Sequence, residues 1–326
     1  MLEIWESEER DLKELLKKIL RKTPAYWEQI STRNMLNTRI ANLEKKQEMM
    51  FWWSMNQPGE SMRETKLRVY LNMPKAEGKI RQHQLDYLGI LEKTAAIFEA
   101  NGLTYWPMGG TMIGAVRHNG FIPWDDDLDI SMMSEDKEKL FDIFNSLDEF
   151  IIEEVYWSDN LLLRCPRIRY ADESKNGCID IFLWERADDE ANGDPVLWEK
   201  RQKYARMKEA AFKELKPSLK QSLFKGEAIR DPQDKKKVEQ LFEEIYAKQR
   251  QEIQKSGNTI YGQIDMWFEA GRWKGVYRLE DMLPMKKVKF ETMELPVPKN
   301  YDEFLTMQYG DWLSLPGMVS PKHTQF

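Results

Sequence analysis

The run Asp127-Leu128-Asp129-Ile130-Ser131-Met132 constrains this chain more than any other stretch. Its apolar and polar residues alternate, which is the period of a half-buried β-strand: Leu128, Ile130 and Met132 face a core, and Asp127, Asp129 and Ser131 face away. Trp124-Asp125-Asp126 comes directly before it. Carboxylates this crowded repel one another unless a cation lies among them. Two strand carboxylates projecting the same way suit Mg²⁺ or Mn²⁺, which take one or two acids and complete their shells with water and phosphate oxygens. A solvated acidic turn is the competing reading, weakened by the apolar partners of the acids. A calcium loop does not fit, because Ile130 stands at the sixth position, where glycine is required, and Asp136 at the twelfth, where glutamate is required.

The flanking sequence supplies a sheet for this strand. Ile80 to Asn101 has helical apolar spacing through Leu85, Leu88, Leu91, Ile97 and Phe98, and stops at Asn101-Gly102. LTYWPM is strand-like, Gly109-Gly110-Thr111 opens a short helix to about Arg117, and a helix is predicted from about Ser134 to Leu147. Strands are predicted at 150–157, 161–170 and 178–184. The order is β-α-β-α-β-β-β, that of a mixed α/β sheet flanked by helices. Residues 195–255 read as two charged helices broken near Gly226 to Pro232, and the tail as a strand at 286–291, a proline-rich link LPVPKN and a helix from Tyr301 to about Tyr309.

Before this core, residues 8–22 form a basic amphipathic helix ended by Pro24, with Leu12, Leu15, Leu16, Ile19 and Leu20 on one face. A second helix carries Leu36, Ile40, Leu43, Gln47 and Met50 at alternating spacings of four and three, then Phe51-Trp52-Trp53, and stops near Pro58-Gly59. Residues 1–79 have a net charge of +3 and the remainder -9, which places a boundary near Pro74. We therefore expect a helical extension over 1–75, contacting a membrane surface or forming a homodimer, and a catalytic domain over 76–326 with helices inserted in and following its sheet.

Net charge -6 over 326 residues gives no electrostatic footprint for nucleic acid. The sequence holds no apolar run long enough to span a membrane and no signal-peptide pattern, so the expected location is cytoplasmic, at the inner face of the membrane if the first helix binds there. Cys165 and Cys178 are too few for a disulfide framework and read as buried thiols.

Three further features bear on chemistry. Asp180 lies in the apolar strand CIDIFLW and needs a partner, either the same metal or an acceptor hydroxyl toward which it acts as general base. Gly109, Gly110 and Thr111, between a strand and a helix, suit a phosphate cradle, although a glycine pair also makes an ordinary turn. They match neither a Walker loop nor a dinucleotide fingerprint. Arg117 and His118 close that helix, as phosphate contacts or as a plain C-terminal cap.

Taken in order, Gly109-Gly110-Thr111, Gly114-Ala115-Val116-Arg117-His118, Gly120-Phe121-Ile122-Pro123-Trp124-Asp125-Asp126-Asp127 and Asp129-Ile130 closely resemble the LicD family motif. Arg167-Ile168-Arg169 and Ile179-Asp180-Ile181-Phe182 are similar to its second block, and Tyr301, Tyr309-Gly310-Asp311, Pro316 and His323 to its last. The resemblance implies a nucleotidyltransferase fold with Asp127, Asp129 and Asp180 as metal and catalytic acids, Gly110 and Thr111 as phosphate cradle, and Arg117 as a phosphate contact. It also implies transfer of phosphocholine, or a related phosphoryl alcohol, from a CDP-alcohol such as CDP-choline to a glycan or lipid-linked acceptor of teichoic acid, capsule or lipopolysaccharide. Related ribitol-phosphate transferases leave the alcohol open, glycerol and ribitol included. A scaffold that keeps the fold for glycan binding is the non-catalytic alternative. The chain departs from the family pattern at Ser134-Glu135-Asp136 and at Leu183, positions expected at the pocket rim. A choline group would want an aromatic cage, for which Trp124, Trp157 and Trp184 are candidates, core packing being the commoner role for each.

Overall fold

A computed structural model describes residues 23–157, 163–187, 231–251, 259–261 and 276–315, with isolated positions between 199 and 229. The predicted helix over 8–22 and the first of the two charged helices in 195–255 lie outside the described residues, as do Pro316 and His323.

The chain divides into two compact units, residues 1–66 and 67–326. The first is built on α1, Pro24–Met55. Pro24 opens this helix: Thr23 caps it by accepting the Tyr26 N–H at 3.3 Å, and a proline in the first turn has no N–H to leave unbonded. The predicted seam lies on α1, and Leu36, Ile40, Leu43 and Met50 are all exposed. A second helix, α2, spans Met62–Leu71.

The second unit holds the sheet. Helix α3, Gly78–Ala100, buries Leu88, Leu91, Ala95 and Phe98 and ends where Gly102 takes a positive φ, whereas Leu85, predicted on the same face, is exposed. Then come β1 (Tyr105–Pro107), α4 (Gly109–His118), β2 (Asp129–Met133), a short 3₁₀ turn at Ser134–Asp136 and α5 (Lys137–Asn145). Strands β3 (Phe150–Trp157), β4 (Leu163–Tyr170) and β5 (Cys178–Ala187) complete the predicted order. Their spatial order is β1-β2-β5-β4-β3, with β5 parallel to β2 and the other neighbours in this row antiparallel. This is the mixed α/β sheet flanked by helices that the sequence predicted.

After helix α6 (Pro232–Gln251), two strands that the periodicity does not show, β6 (Thr259–Tyr261) and β7 (Val276–Arg278), extend the sheet from β5. At three residues each they are too short to display an alternation. A single turn, α7 (Leu279–Met282), leads to β8 (Lys286–Phe290). The stretch read as a proline-rich link is largely β9, Met293–Val297, paired antiparallel with β8. Pro296 is tolerated because this is a two-stranded ribbon with open edges. Helix α8 is Tyr301–Tyr309.

One sheet face carries Ile130, Ile181, Ile179, Ile168 and Ile152, packed with Phe98, Leu140 and Phe144 into the main core. Each fully buried aliphatic side chain contributes about 2 kcal/mol relative to exposure. On the other face Trp184 packs edge-on against Trp106 and tilted against Tyr277 and Phe304. Its indole N–H donates to the buried Ser131 hydroxyl at 2.9 Å. Trp184 is thus a core residue and no part of an aromatic cage.

Candidate active site

The register of the central strands decides which polar side chains meet. Asp129 of β2 stands directly opposite Asp180 of β5, which stands opposite Arg167 of β4, itself opposite Glu153 of β3. Directly opposed residues share a face, so two carboxylates, a guanidinium and a third carboxylate form a row across four strands. Asp127 lies just before β2, in the loop that also carries Asp125 and Asp126.

That loop is held by groups remote in sequence. Gln84 of α3 donates to the carbonyls of Ile122 and Asp125, at 3.1 and 3.0 Å, and His83 meets the Asp126 carbonyl at 2.8 Å. Upstream, the buried Glu291 in the β8–β9 turn accepts from both guanidinium nitrogens of Arg81 and from Lys75, and takes the Phe121 N–H at 3.3 Å. Burial alone would raise the Glu291 pKa, but its cationic partners pull it below the usual glutamate value. The acidic loop therefore starts from a fixed backbone.

Gly109 and Gly110 bring the start of α4 against these acids. A Cβ on Gly110 would lie 2.4 Å from Asp125 Oδ2, and one on Gly109 would lie 3.4 Å from Asp129 Oδ2 and 3.9 Å from the Tyr309 hydroxyl. Gly109 also has φ +58°, which disfavours a side chain. The positive end of the helix dipole thus faces the acidic cluster. The Met108 N–H donates to the Asp129 carbonyl and the Thr111 hydroxyl accepts the Asp129 N–H, both at 3.0 Å. Thr111 is buried, and its hydroxyl positions the start of β2. The backbone N–H groups of the first turn are what the helix offers an anion.

The structure does not place Arg117 and His118 at this site. Arg117 is 4% exposed, lies 4.2 Å from the Tyr70 ring centre and donates to the Trp312 carbonyl at 3.0 Å. Tyr70 in turn donates to the Ser314 carbonyl at 2.9 Å. Burial pulls the Arg117 pKa down, and burial together with the Arg117 charge lowers that of His118 to about 3. Arg117 ties α4 to the segment after α8, and the His118 ring lies 5.3 Å from that of Tyr70. The guanidinium is thus committed to a ring face and a carbonyl, with the charge of Asp125 also acting on it.

Arg167 is the functional residue that sequence reasoning missed. Its Nε and Nη2 donate to the two carboxylate oxygens of Asp180 at 2.6 and 2.7 Å. Burial works against the Arg167 charge, but Asp180 overrides it and the guanidinium pKa is raised. Its position two strands from Asp129 was a recoverable signal, since an acid inside an apolar strand needs a partner and Arg167 lies on a neighbouring strand. Tyr309 was missed likewise: burial first, then the charge of Asp129, raises its hydroxyl pKa.

Among the described residues no three Asp, Glu, His or Cys side chains are grouped as one ion's ligands. Each Asp180 oxygen accepts one N–H of Arg167 and keeps a second lone pair, and the Asp180 charge still acts on Asp129. The acids as placed fit a divalent ion held by fewer protein ligands. Burial first, and then the charges of Asp127, Asp180 and Asp125, push the Asp129 pKa well above the carboxylate range. That strain is what a divalent cation shared with donor phosphates relieves. A cleft of about 780 Å³, lined by Lys137, Phe141, Glu154, Arg164 and Glu239 among others, includes Ser134 and Leu183, two positions expected at the pocket rim, but none of the predicted catalytic or phosphate-binding residues.

Similarity to known proteins, and not the geometry alone, classes the chain with transferases of phosphate-containing groups. Residues 102–234 match the family described as LicD/FKTN/FKRP, nucleotidyltransferase domain. That stretch of the chain is thus similar to a LicD-family domain. It is 26% identical over 257 residues to the lipopolysaccharide cholinephosphotransferase LicD of Haemophilus influenzae, covering 73% of this chain and 92% of that protein. It is 30% identical over 90 residues to the mouse ribitol 5-phosphate transferase FKRP, covering 27% of this chain and 18% of that protein. An uncharacterised Rickettsia prowazekii protein is 34% identical over 94 residues, 29% of this chain and 31% of the relative.

Proposed function

We propose that this protein transfers a phosphoryl-alcohol group, phosphocholine foremost, from a CDP-alcohol to a sugar hydroxyl of a cell-surface glycan, releasing CMP. The observation that carries the reading is the pairing of Asp129 with Asp180 on adjacent parallel strands, beside a helix start stripped of side chains at Gly109 and Gly110. The extent of the match to a cholinephosphotransferase supports phosphocholine over the ribitol phosphate of the shorter match.

In this reading Asp127 and Asp129 hold Mg²⁺ or Mn²⁺, which would supply charge neutralisation at the donor pyrophosphate. The first turn of α4 directs its N–H groups at the same phosphates. Asp180, its orientation fixed by Arg167, accepts the proton of the acceptor hydroxyl. The hydroxyl oxygen then bonds to the phosphorus bearing the alcohol, the bond from that phosphorus to the bridging oxygen breaks, and CMP leaves with the electron pair. The sheet and helix start act by positioning and electrostatics, which carry most of the catalysis in phosphoryl transfer.

The test is a screen of CDP-choline, CDP-ethanolamine, CDP-glycerol and CDP-ribitol with Mg²⁺, read as a rise in melting temperature and as CMP release with a glycan acceptor. CDP-choline is expected to stabilise most and to yield CMP. Release of pyrophosphate would instead mark transfer of a whole nucleotidyl group, and no response to any donor would mark a binding scaffold. Among the described residues no helix is long and apolar enough to cross a membrane. Contact of residues 1–75 with a membrane surface, or with a second copy, stays a proposal, separable by liposome sedimentation and solution mass after their deletion.

A further inference from the structure

A second pocket, of about 410 Å³, lies between the first turns of α3 and the turn before β5. Its walls are Gln82, His83, Asp86 and Tyr87 from the helix and Asn176 from the turn, with Lys79 also lining it. Two contacts join it to the site. His83 reaches the Asp126 carbonyl at 2.8 Å, and the Tyr87 hydroxyl lies 3.3 Å from Cys178 Sγ, two residues before Asp180 on the same face of β5. The transfer chemistry described above leaves Gln82, Asp86 and Asn176 unused.

The polar wall is organised in advance. Asp86 accepts from Gln82 Nε2 at 2.9 Å through one oxygen and from Asn176 Nδ2 at 3.3 Å through the other. Each amide is thereby oriented and retains a carbonyl acceptor and a second N–H donor. The turn can come this close because Gly177 sits at φ +116°, where a Cβ would meet the Asp86 carbonyl and Ile90 Cγ2 at 3.1 Å each. Beside the amides, the rings of His83 and Tyr87 lie 4.3 Å apart and tilted by 35°, forming an aromatic wall.

Oriented planar amides and a carboxylate that donate and accept at once match vicinal hydroxyls, and a ring face matches the C–H surface of a pyranose. A nucleobase would call for a closed apolar slot, whereas Gln82 and Asn176 are exposed. We propose that this pocket is the acceptor subsite, binding a neutral hexopyranose of the glycan so that its reactive hydroxyl reaches Asp180. This rests on the transferase reading above and adds the sugar site to it. Gln82 and Asn176 are assigned as specificity-determining residues that read ring hydroxyls.

The test uses the full chain and the variants Gln82→Ala and Asn176→Ala, both surface changes that leave the core intact. Saturation-transfer NMR with methyl β-glucopyranoside, methyl β-galactopyranoside and N-acetylglucosamine as probes reads the pocket without any turnover. At least one sugar is expected to receive saturation from the unaltered protein, with the signal falling about fivefold or more in each variant. In kinetics the acceptor KM should rise about tenfold while acceptor-free CMP release from CDP-choline stays within about twofold. Absence of signal for all three sugars, signals unchanged in both variants, or a rise in the CDP-choline KM instead of the acceptor KM would each overturn the assignment. If no CDP-alcohol is turned over yet the sugar signals fall in the variants, the transferase reading fails and the sugar site stands.

Discussion

The two ends of helix α4 carry the two halves of one motif and use charge in opposite ways. At its start, Gly109 and Gly110 remove side chains so that the carboxylates of Asp125 and Asp129 stand against the first turn, with Asp129 held against its own charge repulsion. At its end, Arg117 and His118 are withdrawn from solvent, the guanidinium between the Tyr70 ring and the Trp312 carbonyl. Ten residues thus run from an end that strains charge for use to an end that neutralises charge for stability. A motif that reads as one functional block is, physically, a site and a latch.

The largest effect expected at the first end is on turnover. Replacing Asp127 and Asp129 together by Asn should lower CMP release about a thousandfold or more, while the melting temperature holds or rises because mutual repulsion is removed. Equal loss of stability and activity would make the acids structural and erase the contrast between the ends. Gly110→Ala should cost about ten- to a hundredfold in kcat, since its Cβ would displace the Asp125 carboxylate from 2.4 Å, with little change in melting temperature.

At the other end the order of effects should invert. Arg117→Met is expected to destabilise the fold by about 3 kcal/mol in urea unfolding, leaving the donor KM within about twofold. A raised donor KM at unchanged stability would return Arg117 to the phosphate site. The smallest effect is the pH dependence of His118. Its folded pKa of about 3 lies below the ordinary 6.5, so the unfolded chain binds the extra proton. Its contribution to stability is full above about pH 6.5 and is lost as pH falls toward 3, by at most about 1.4 kcal/mol per pH unit. His118→Gln should flatten the stability profile below about pH 6.5, read by urea unfolding from there down to about pH 5.

The same contrast explains what the sequence made legible. Asp129 beside Asp180 was readable because alternation assigns faces, and the β-α-β-α-β-β-β order leaves few ways to arrange five strands. The start of α4 was readable because a glycine pair before a helix has a local meaning. Arg117 was not, because its partners Tyr70 and Trp312 are far off in the chain and nothing local marks a buried guanidinium. Arg167 falls between: the need for a partner at Asp180 was visible, but only the register names it. At Pro296 the residue was read as part of a link, whereas an open-edged ribbon makes it compatible with a strand.

The place of β5 carries a consequence for biogenesis. This strand inserts between β2, made some fifty residues earlier, and β4, already paired with β3. Until it docks, Asp129 has no Asp180 opposite it, and Asp180 has no Arg167 to orient it. A chain emerging from the ribosome therefore keeps these two acids apart until β5 pairs with both of its neighbours.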